Sequence, residues 1–256
     1  MNVIKYRLEG DDRNKNSPYR EISREEFVAL KTFDAVEIIC NNNQLTSLPE
    51  LPLCDYINCS YNQITFIPDL PLCETFNCSR NQLISLPELP LCKRIWCQNN
   101  QLIFFPDELP FCEELICFSN QLTSLPELPL CKCINCSYNQ LSNLPELPLY
   151  KELYCHCNNL TGLPELPLCE KLYCHFNQLT CLPELPKCEQ LICYNNPLSC
   201  CSPKHIKDIP RYNKLVRSVK RIQARWRLRQ VLKGCPWHPI GKRYIKKVLS
   251  DFNIEY

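Results

Sequence analysis

A cysteine recurs along the chain at a nearly constant spacing, and this period constrains the fold more than any other feature of the sequence. The step is 19 residues throughout, except for one step of 20, where a copy contains FPDELP in place of LPELP or IPDLP. A fixed period of this kind is the signature of a stack of similar structural units. The recurring residues, called the anchor cysteines, are Cys40, Cys59, Cys78, Cys97, Cys117, Cys136, Cys155, Cys174 and Cys193.

Each copy repeats the same order of residue types, as in CFSNQLTSLPELPLC from Cys117 to Cys131. Counted from the anchor, Asn stands at +3, an aliphatic residue at +5, and prolines at +9 and +12. Alternation around each anchor, as in Leu115-Ile116-Cys117, predicts a short strand with two inward side chains. The Asn amide can satisfy backbone groups where the chain leaves the strand. The prolines exclude a helix and favour an extended return path.

The pattern L-x-C-x-x-N-x-L-x-x-L-P-x-L-P resembles the short leucine-rich repeat. It is most similar to the LPxLP repeats of bacterial effector proteins and to cysteine-rich versions from giant DNA viruses. The resemblance implies an α/β fold: a right-handed solenoid arc with a parallel β-sheet on its concave side and an extended, proline-rich convex side. We expect an N-terminal cap over residues 1–35, about nine repeats of 19–20 residues over 36–200, and a basic helical tail over 201–256.

The first 35 residues lie outside the period and should close one end of the stack. VIKYRL near the start favours a strand. Ser23-Arg24-Glu25-Glu26 matches a capping box, so a short helix is expected over residues 24–33. Its apolar residues Phe27, Leu30 and Phe33 would cover core side chains that the first repeat leaves open.

The chain contains 22 cysteines, and 16 of them occupy two columns of the repeat. A small, buried apolar side chain suits both columns, and free cysteine behaves as one. We therefore expect reduced thiols and an intracellular, cytoplasmic protein (in the host cytoplasm if the chain is viral). The alternative is a secreted disulfide scaffold, which a cysteine content this high also permits. The start of the chain lacks a signal-peptide core, and no apolar run is long enough to span a membrane.

Side chains on either side of each anchor should face the concave surface in columns about 4.8 Å apart. The first copies place small polar residues there, whereas large rings predominate from Trp96 onward. Clustered exposed rings favour a protein-binding surface; the alternative is that such rings simply suit strands and stack on one another. The expected partner-binding residues are Trp96, Ile116, Phe118, Tyr154, His156, Tyr173, His175 and Tyr194.

No motif in the sequence predicts catalysis or a bound cofactor. A glycine-rich phosphate loop, H-E-x-x-H and G-x-S-x-G are all missing from it. Effectors with similar repeats often carry a C-terminal ubiquitin-ligase domain, but only about 55 residues follow the repeats here. His156 and His175 fall in one column, yet zinc prefers three or four ligands, so no metal site is expected. The sequence therefore predicts a protein that is not an enzyme.

Charge separates the tail from the repeats. Residues 1–203 carry 14 Lys+Arg against 24 Asp+Glu, and residues 204–256 carry 15 against 3. In each of the first eight copies an acidic residue stands at +10, on the return path. This acidic column is either solvated decoration or a surface along which the basic tail folds back; it comprises Glu50, Asp69, Glu88, Asp107 with Glu108, Glu127, Glu146, Glu165 and Glu184.

The tail contains one more specific motif. Residues 213–233 have helical periodicity, and Ile222, Gln223 and Arg227 match the I-Q-x-x-x-R start of an IQ motif, a helix that binds calmodulin-like proteins. Leu228 stands where that family has glycine, and the final basic residue comes one position late. With Trp226 on its apolar face, this basic helix has three possible roles: a cap on the repeats, a site for a calmodulin-like protein, or a nucleic-acid contact.

Overall fold

The computed structural model describes residues 3–11, 19–146, 148–199, 206–214, 216–218 and 221. One short helix, α1 (Arg24–Ala29), interrupts a series of eleven strands. The strands are β1 (Val3–Leu8), β2 (Arg20–Ser23), β3 (Ala35–Ile39), β4 (Tyr56–Asn58), β5 (Thr75–Asn77), β6 (Arg94–Trp96), β7 (Glu114–Ile116), β8 (Cys133–Asn135), β9 (Glu152–Tyr154), β10 (Lys171–Tyr173) and β11 (Gln190–Ile192). They form one sheet in the order β11-β10-β9-β8-β7-β6-β5-β4-β3-β1-β2.

Strands β3 to β11 are parallel, and each pairs with the strand of the next copy. Strands β4 to β11 are each three residues long, because the chain must turn away after the anchor cysteine. In β7 and the residue after it, Leu115 and Cys117 are fully buried, while Ile116 between them lies on the opposite face. The predicted leucine-rich repeat solenoid with a parallel sheet is thereby confirmed.

The asparagine at +3 joins neighbouring copies, as its position in the repeat predicts. The Asn139 amide nitrogen donates to the carbonyls of Cys117, Cys136 and Ser137 at 3.1, 3.0 and 3.2 Å. Its amide oxygen accepts from the backbone N–H of Leu122 at 3.0 Å. One side chain therefore satisfies backbone groups of two successive copies at the point where both leave the sheet.

The residue at +2 has a left-handed backbone in all nine copies, with φ between 52° and 58°. None of these residues is glycine, although left-handed geometry costs an ordinary side chain on the order of 1 kcal/mol. The turn persists because its backbone groups remain paired between copies: the N–H of Ser119, for example, donates to the carbonyl of Ser137 at 3.0 Å.

The cysteines fill the core between the sheet and the extended return path. The nineteen cysteines within the described ranges have free thiols, and eight of the nine anchors are completely buried. Burial raises the pKa of Cys59 and of Cys136 to about 12. A protonated, enclosed thiol is a poor nucleophile, so these two act as packing residues. The expectation of reduced thiols in the cell stays a prediction.

The N-terminal cap extends the sheet as well as covering its end. Strand β1, expected from VIKYRL, pairs antiparallel with both β2 and β3. The capping box at Ser23 and Glu26 is present, and Phe27 is fully buried. The predicted helix over 24–33 was wrong in length, because α1 ends at Ala29. After it, the N–H of Phe33 donates to the carbonyl of Glu50 at 2.9 Å, so this segment pairs with the first return path instead of continuing the helix.

At the other end of the stack, a short 3-10 helix (Ile206–Asp208) leads into helical residues 209–214 and 216–218. The Asn213 amide oxygen accepts from the Leu185 N–H at 2.9 Å, and its nitrogen donates to the Leu185 carbonyl at 3.0 Å. This helix therefore covers the return path of the eighth copy and starts earlier than its predicted first residue. Within the described ranges, no helix has the length and apolar character required to cross a membrane.

Candidate functional site

The predicted binding residues that precede the anchors form one continuous column across the sheet. The register aligns Trp96 with Ile116, Ile116 with Asn135, Asn135 with Tyr154, and Tyr154 with Tyr173. The column thus has two ring-bearing ends separated by one aliphatic and one amide side chain. The Tyr154 and Tyr173 rings lie 4.9 Å apart, centroid to centroid.

The residues that follow the anchors form a second column, whose rings stack. The His156 and His175 rings are nearly parallel, at 7°, with centroids 4.4 Å apart. His175 also stacks on Tyr194 at 4.7 Å. Tyr138 adds an edge contact to His156 at 5.3 Å, and Phe176 adds one to Tyr194 at 5.5 Å. Five rings from four successive copies therefore make one rigid surface.

Full exposure of the rings was expected, but most of them are half-buried. Trp96, Tyr154, His156, Tyr173 and His175 all have intermediate exposure. The reason is lateral contact, because neighbours about 4.8 Å away cover the flanks of each ring and leave its outer edge or face accessible. A surface of this kind is apolar but already ordered, which lowers the entropy lost when a partner binds.

The first residue of each strand also belongs to this face, although it is not among the residues predicted from the sequence. The Trp96 indole N–H donates to Glu114 at 3.0 Å, and the Tyr173 hydroxyl donates to Gln190 at 2.9 Å. The Tyr154 hydroxyl donates to Glu152 at 3.1 Å. Period-2 alternation would have found this column, because residues two positions apart on a strand share a face.

A carboxylate–ammonium pair borders the tyrosines on this face. Lys171 and Glu152 form an ion pair of 2.8 Å, and the hydrogen bond from Lys171 lowers the pKa of the Glu152 carboxyl. Polar groups around the rings are therefore held in fixed orientations. A rim of this type surrounds the apolar centre of many protein interfaces.

Tyr138 and Phe176 are the other residues that the sequence analysis overlooked. Both occupy the left-handed +2 position and are exposed. Their backbone direction carries the side chain to the border of the face instead of into the core. A comparison of the +2 residues among copies could have found them, since four of the other seven copies carry Asn or Ser at that position.

Three copies satisfy their own polar groups on this face. The Asn58 amide oxygen accepts from the hydroxyl of Ser60 at 2.7 Å, and the pair Asn77–Ser79 repeats this bond at 2.8 Å. Asn135 and Ser137 do the same at 2.7 Å. Because these groups are paired with each other, they offer few free donors or acceptors. These copies therefore form polar segments of the face beside the rings.

The two stacked histidines lie in a surface that disfavours their charged form. Partial burial lowers the pKa of both, and the neighbouring His175 lowers that of His156 further. In each ring, Nδ1 is enclosed and lacks a hydrogen-bond partner. Across the described ranges, no three His, Cys, Asp or Glu side chains converge in a way that would hold a metal ion. This pair is therefore a stacked contact whose surroundings oppose protonation.

The predicted tail residues Ile222, Gln223, Trp226 and Arg227 lie outside the described residues. Before them, Arg217 forms an ion pair with Glu184, the last member of the acidic column. The described start of the tail therefore contacts the return path of the eighth copy, on the side away from the rings.

Several solved structures resemble this chain. No protein-family model and no curated protein matches the sequence. YopM, a leucine-rich effector protein from Yersinia pestis, is 35% identical with a TM-score of 0.58, over 63% of this chain and 49% of its own. A leucine-rich repeat domain of a Shigella effector is 30% identical with a TM-score of 0.50, over 72% of this chain and 76% of its own.

A leucine-rich repeat protein of Leptospira interrogans, 24% identical with a TM-score of 0.51, covers 56% of this chain and 44% of its own, and shows the fold alone. This chain spans about half the length of the YopM chain that it matches. The in-register parallel strands and the asparagine between copies agree with these likenesses. The chain belongs to the leucine-rich repeat proteins.

Proposed function

We propose that this protein is a non-enzymatic recognition module that binds a protein partner on the concave face of its repeats. The observation that carries the proposal is the surface from Trp96 to Tyr194, in which ring-bearing copies flank Ile116 and Asn135. The Tyr154 and Tyr173 rings contact each other within it, Phe118 is half-buried after its anchor, and His156 and His175 stack on each other. Clustered aromatic residues with a polar border have the composition of a binding hot spot.

The comparisons support this class of function. YopM and the Shigella protein are both described as effectors with leucine-rich repeats. Effectors act on other molecules, and a repeat arc offers an extended surface for contact. The ordered rings of this chain favour a folded or extended protein segment with apolar side chains, because a planar ring surface gains most from apolar contact.

The test substitutes rings that the repeat does not require: Trp96→Ala, Phe118→Ala, Tyr154→Ala and Tyr173→Ala in one chain. Wild type and variant are used side by side in quantitative affinity capture from lysate. Hot-spot truncations cost about 2 kcal/mol or more each, roughly a 30-fold loss of affinity. We therefore expect the variant to lose specific partners while its melting temperature stays within a few degrees of the wild type.

A matched control replaces four exposed apolar residues at the edge of the solenoid: Leu53→Ala, Leu72→Ala, Phe111→Ala and Leu130→Ala. This control should retain all partners. Equal capture by the ring variant and the wild type would contradict the proposal. A collapse of folding in the ring variant would instead show that the rings are structural.

Binding of a calmodulin-like protein through Ile222, Gln223 and Arg227 is the alternative proposal, and nucleic-acid association through the basic tail is a weaker one. The motif in the sequence supports the first, and net charge supports the second. Retention of the full chain on immobilised calmodulin, with and without calcium, tests the first. Salt-sensitive retention on DNA or RNA tests the second.

A further inference from the structure

Four large apolar side chains are exposed together on the second, third and fourth copies, away from the concave face. Phe66, Ile84, Ile103 and Phe104 are 69%, 57%, 47% and 58% exposed. They occupy positions +6 and +7, after the inward residue at +5. The backbone N–H of Ile103 donates to the carbonyl of Ile84 at 3.2 Å, so these copies are in direct contact there. We call these four residues the convex patch.

The repeat does not require apolar residues at these positions. At +6, six other copies carry small polar residues, namely Thr46, Thr65, Thr123, Ser142, Thr161 and Thr180. At +7, six copies carry Ser47, Ser85, Ser124, Asn143, Gly162 and Cys181. The stack therefore folds with small residues, most of them polar, in both columns, and the patch is an addition to it. Contiguous exposed apolar surface of this kind marks an interaction site.

Exposed carboxylates border the patch. Asp69, Glu88 and Asp107 stand three or four residues after its members, in the acidic column. A second charged column, at +15, is built differently, because it contains both signs and several of its residues pair between copies. Lys93 and Glu74, for example, are 2.8 Å apart. The acidic column is uniform in sign, so a basic occupant would relieve its repulsion.

The protein's own tail has the matching chemistry. Residues 222–256 carry eight Lys+Arg and two Asp+Glu, together with apolar residues such as Ile222 and Trp226. The chain enters this segment next to the same column, because Arg217 already forms an ion pair with Glu184. The residues just before this segment therefore already contact the acidic column.

The tail is long enough to reach the patch. Glu184 belongs to the eighth copy and Phe104 to the fourth, so four repeat steps of about 4.8 Å separate them, roughly 20 Å. A segment of 35 residues spans about 50 Å even as a continuous helix. Reaching Phe66 in the second copy requires about 10 Å more than reaching Phe104.

We propose that residues 222–256 fold back along the convex side of the same molecule. Their apolar residues cover Phe66, Ile84, Ile103 and Phe104, and their Lys and Arg side chains face the acidic column. The concave rings stay open in this arrangement, so the contact is independent of the proposed partner-binding face. The tail is then an internal ligand of the repeats.

Zero-length crosslinking of the full chain with a water-soluble carbodiimide tests the proposal, because it joins only carboxylates and amines already in contact. In the monomeric fraction, peptide mass spectrometry should find links from the tail lysines Lys233, Lys242, Lys246 and Lys247 to Asp69, Glu88 or Asp107. The variant Phe66→Ser/Ile84→Thr/Ile103→Thr/Phe104→Ser carries residues that other copies have at these positions. Loss of the buried apolar area should reduce the yield of these links about tenfold.

A matched control, Leu53→Ser/Leu72→Ser/Leu91→Ser/Leu130→Ser, removes four exposed apolar residues from another edge and should leave the yield unchanged. The reciprocal variant Ile222→Ser/Trp226→Ser changes only the tail, so the repeats stay folded, and it should lose the links as well. Absence of the links from the wild-type monomer, or an unchanged yield in the patch variant, would overturn the proposal. Links confined to a dimer fraction would overturn it too, since the occupant would then be a second copy.

Discussion

At the scale of single residues, each copy depends on one asparagine more than on any apolar side chain. An aliphatic core position contributes area, which a similar side chain can replace. The asparagine at +3 makes several hydrogen bonds to two copies, and no other side chain of its size offers two donors and an acceptor in that geometry. Isoleucine therefore replaces leucine in some copies, whereas the asparagine is present in all nine.

The first prediction concerns Asn139, which is buried in the middle of the stack. Asn139→Ala leaves the Leu122 N–H and the carbonyls of Cys117 and Cys136 without this partner. An unsatisfied buried group costs about 1–3 kcal/mol, so the free energy of unfolding should fall by about 3 kcal/mol. Urea denaturation followed by circular dichroism measures it. Gln140→Ala, at an exposed neighbour, should change it by less than about 0.5 kcal/mol; equal effects of the two would refute the argument.

At the scale of elements, side chains from neighbouring strands stack into columns with properties that no single copy has. His156 and His175 come from the ends of β9 and β10, and their rings meet because the strands are in register. Tyr138, Tyr194 and Phe176 complete the ring cluster around them. Two imidazoles at this separation cannot both gain a proton without mutual repulsion.

This contact predicts a pH dependence of stability. The folded-state pKa of both histidines is lowered, so the unfolded chain binds more protons than the folded one near pH 6. Their contribution is complete above the ordinary pKa of about 6.5 and is lost as the pH falls through the lowered values. Melting temperature should therefore decrease between about pH 7.5 and 5.5, above the range in which carboxylates titrate.

The double variant His156→Gln/His175→Gln is the control for this effect. Its rings are gone and its amides do not titrate, so its melting temperature should vary less across the same pH interval. A pH profile identical to that of the wild type would show that other groups are responsible. Glu152, whose pKa is lowered by Lys171, titrates below this window.

At the scale of the whole molecule, stability depends on how the two ends of the stack are closed. The N-terminal end is closed by β1, which continues the sheet, and by Phe27 of α1. The other end is closed by the helical residues from 209 onward, where Asn213 pairs with both backbone groups of Leu185. Repeat proteins lose structure from unprotected ends because each copy contacts only its neighbours.

The prediction at this scale is local loss of protection after Asn213→Ala. The Leu185 backbone groups would lose their partner, so the eighth and ninth copies should open more often. Hydrogen exchange should accelerate about tenfold in β10 and β11, which corresponds to about 1.4 kcal/mol, and should stay unchanged in β4 and β5. Lys214→Ala, at an exposed position beside it, is the control. Uniform acceleration through all repeats would argue against an end-specific role.

Much of this architecture was predictable from the period. Repetition predicts the strand and the asparagine turn in all nine copies and the proline return in the first eight. The capping box predicts the start of α1. The predicted helix was too long because the local sequence favours helix up to Phe33. In the folded chain, the backbone of Phe33 pairs with Glu50 instead. That contact joins segments 17 residues apart, so local propensity does not register it.

The candidate site was predicted in part. The period identifies the positions that the core does not need, and Trp96, Phe118 and the tyrosines occupy such positions. Their half-burial, the role of Glu114 and Gln190, and the stacking of His156 on His175 depend on lateral spacing between strands. The convex patch was missed, although its residues depart from the polar consensus of their columns.

By itself, the sequence determined the stack: nine copies of one unit, cysteines in the core, and an excess of positive charge confined to the tail. Repetition makes this possible, since each copy must bury the same residues against the next. Only the tertiary structure decided which variable residues share a surface. Side chains 19 residues apart in sequence become neighbours at about 5 Å when strands pair in register, and that proximity creates the ring surface, the histidine stack and the convex patch.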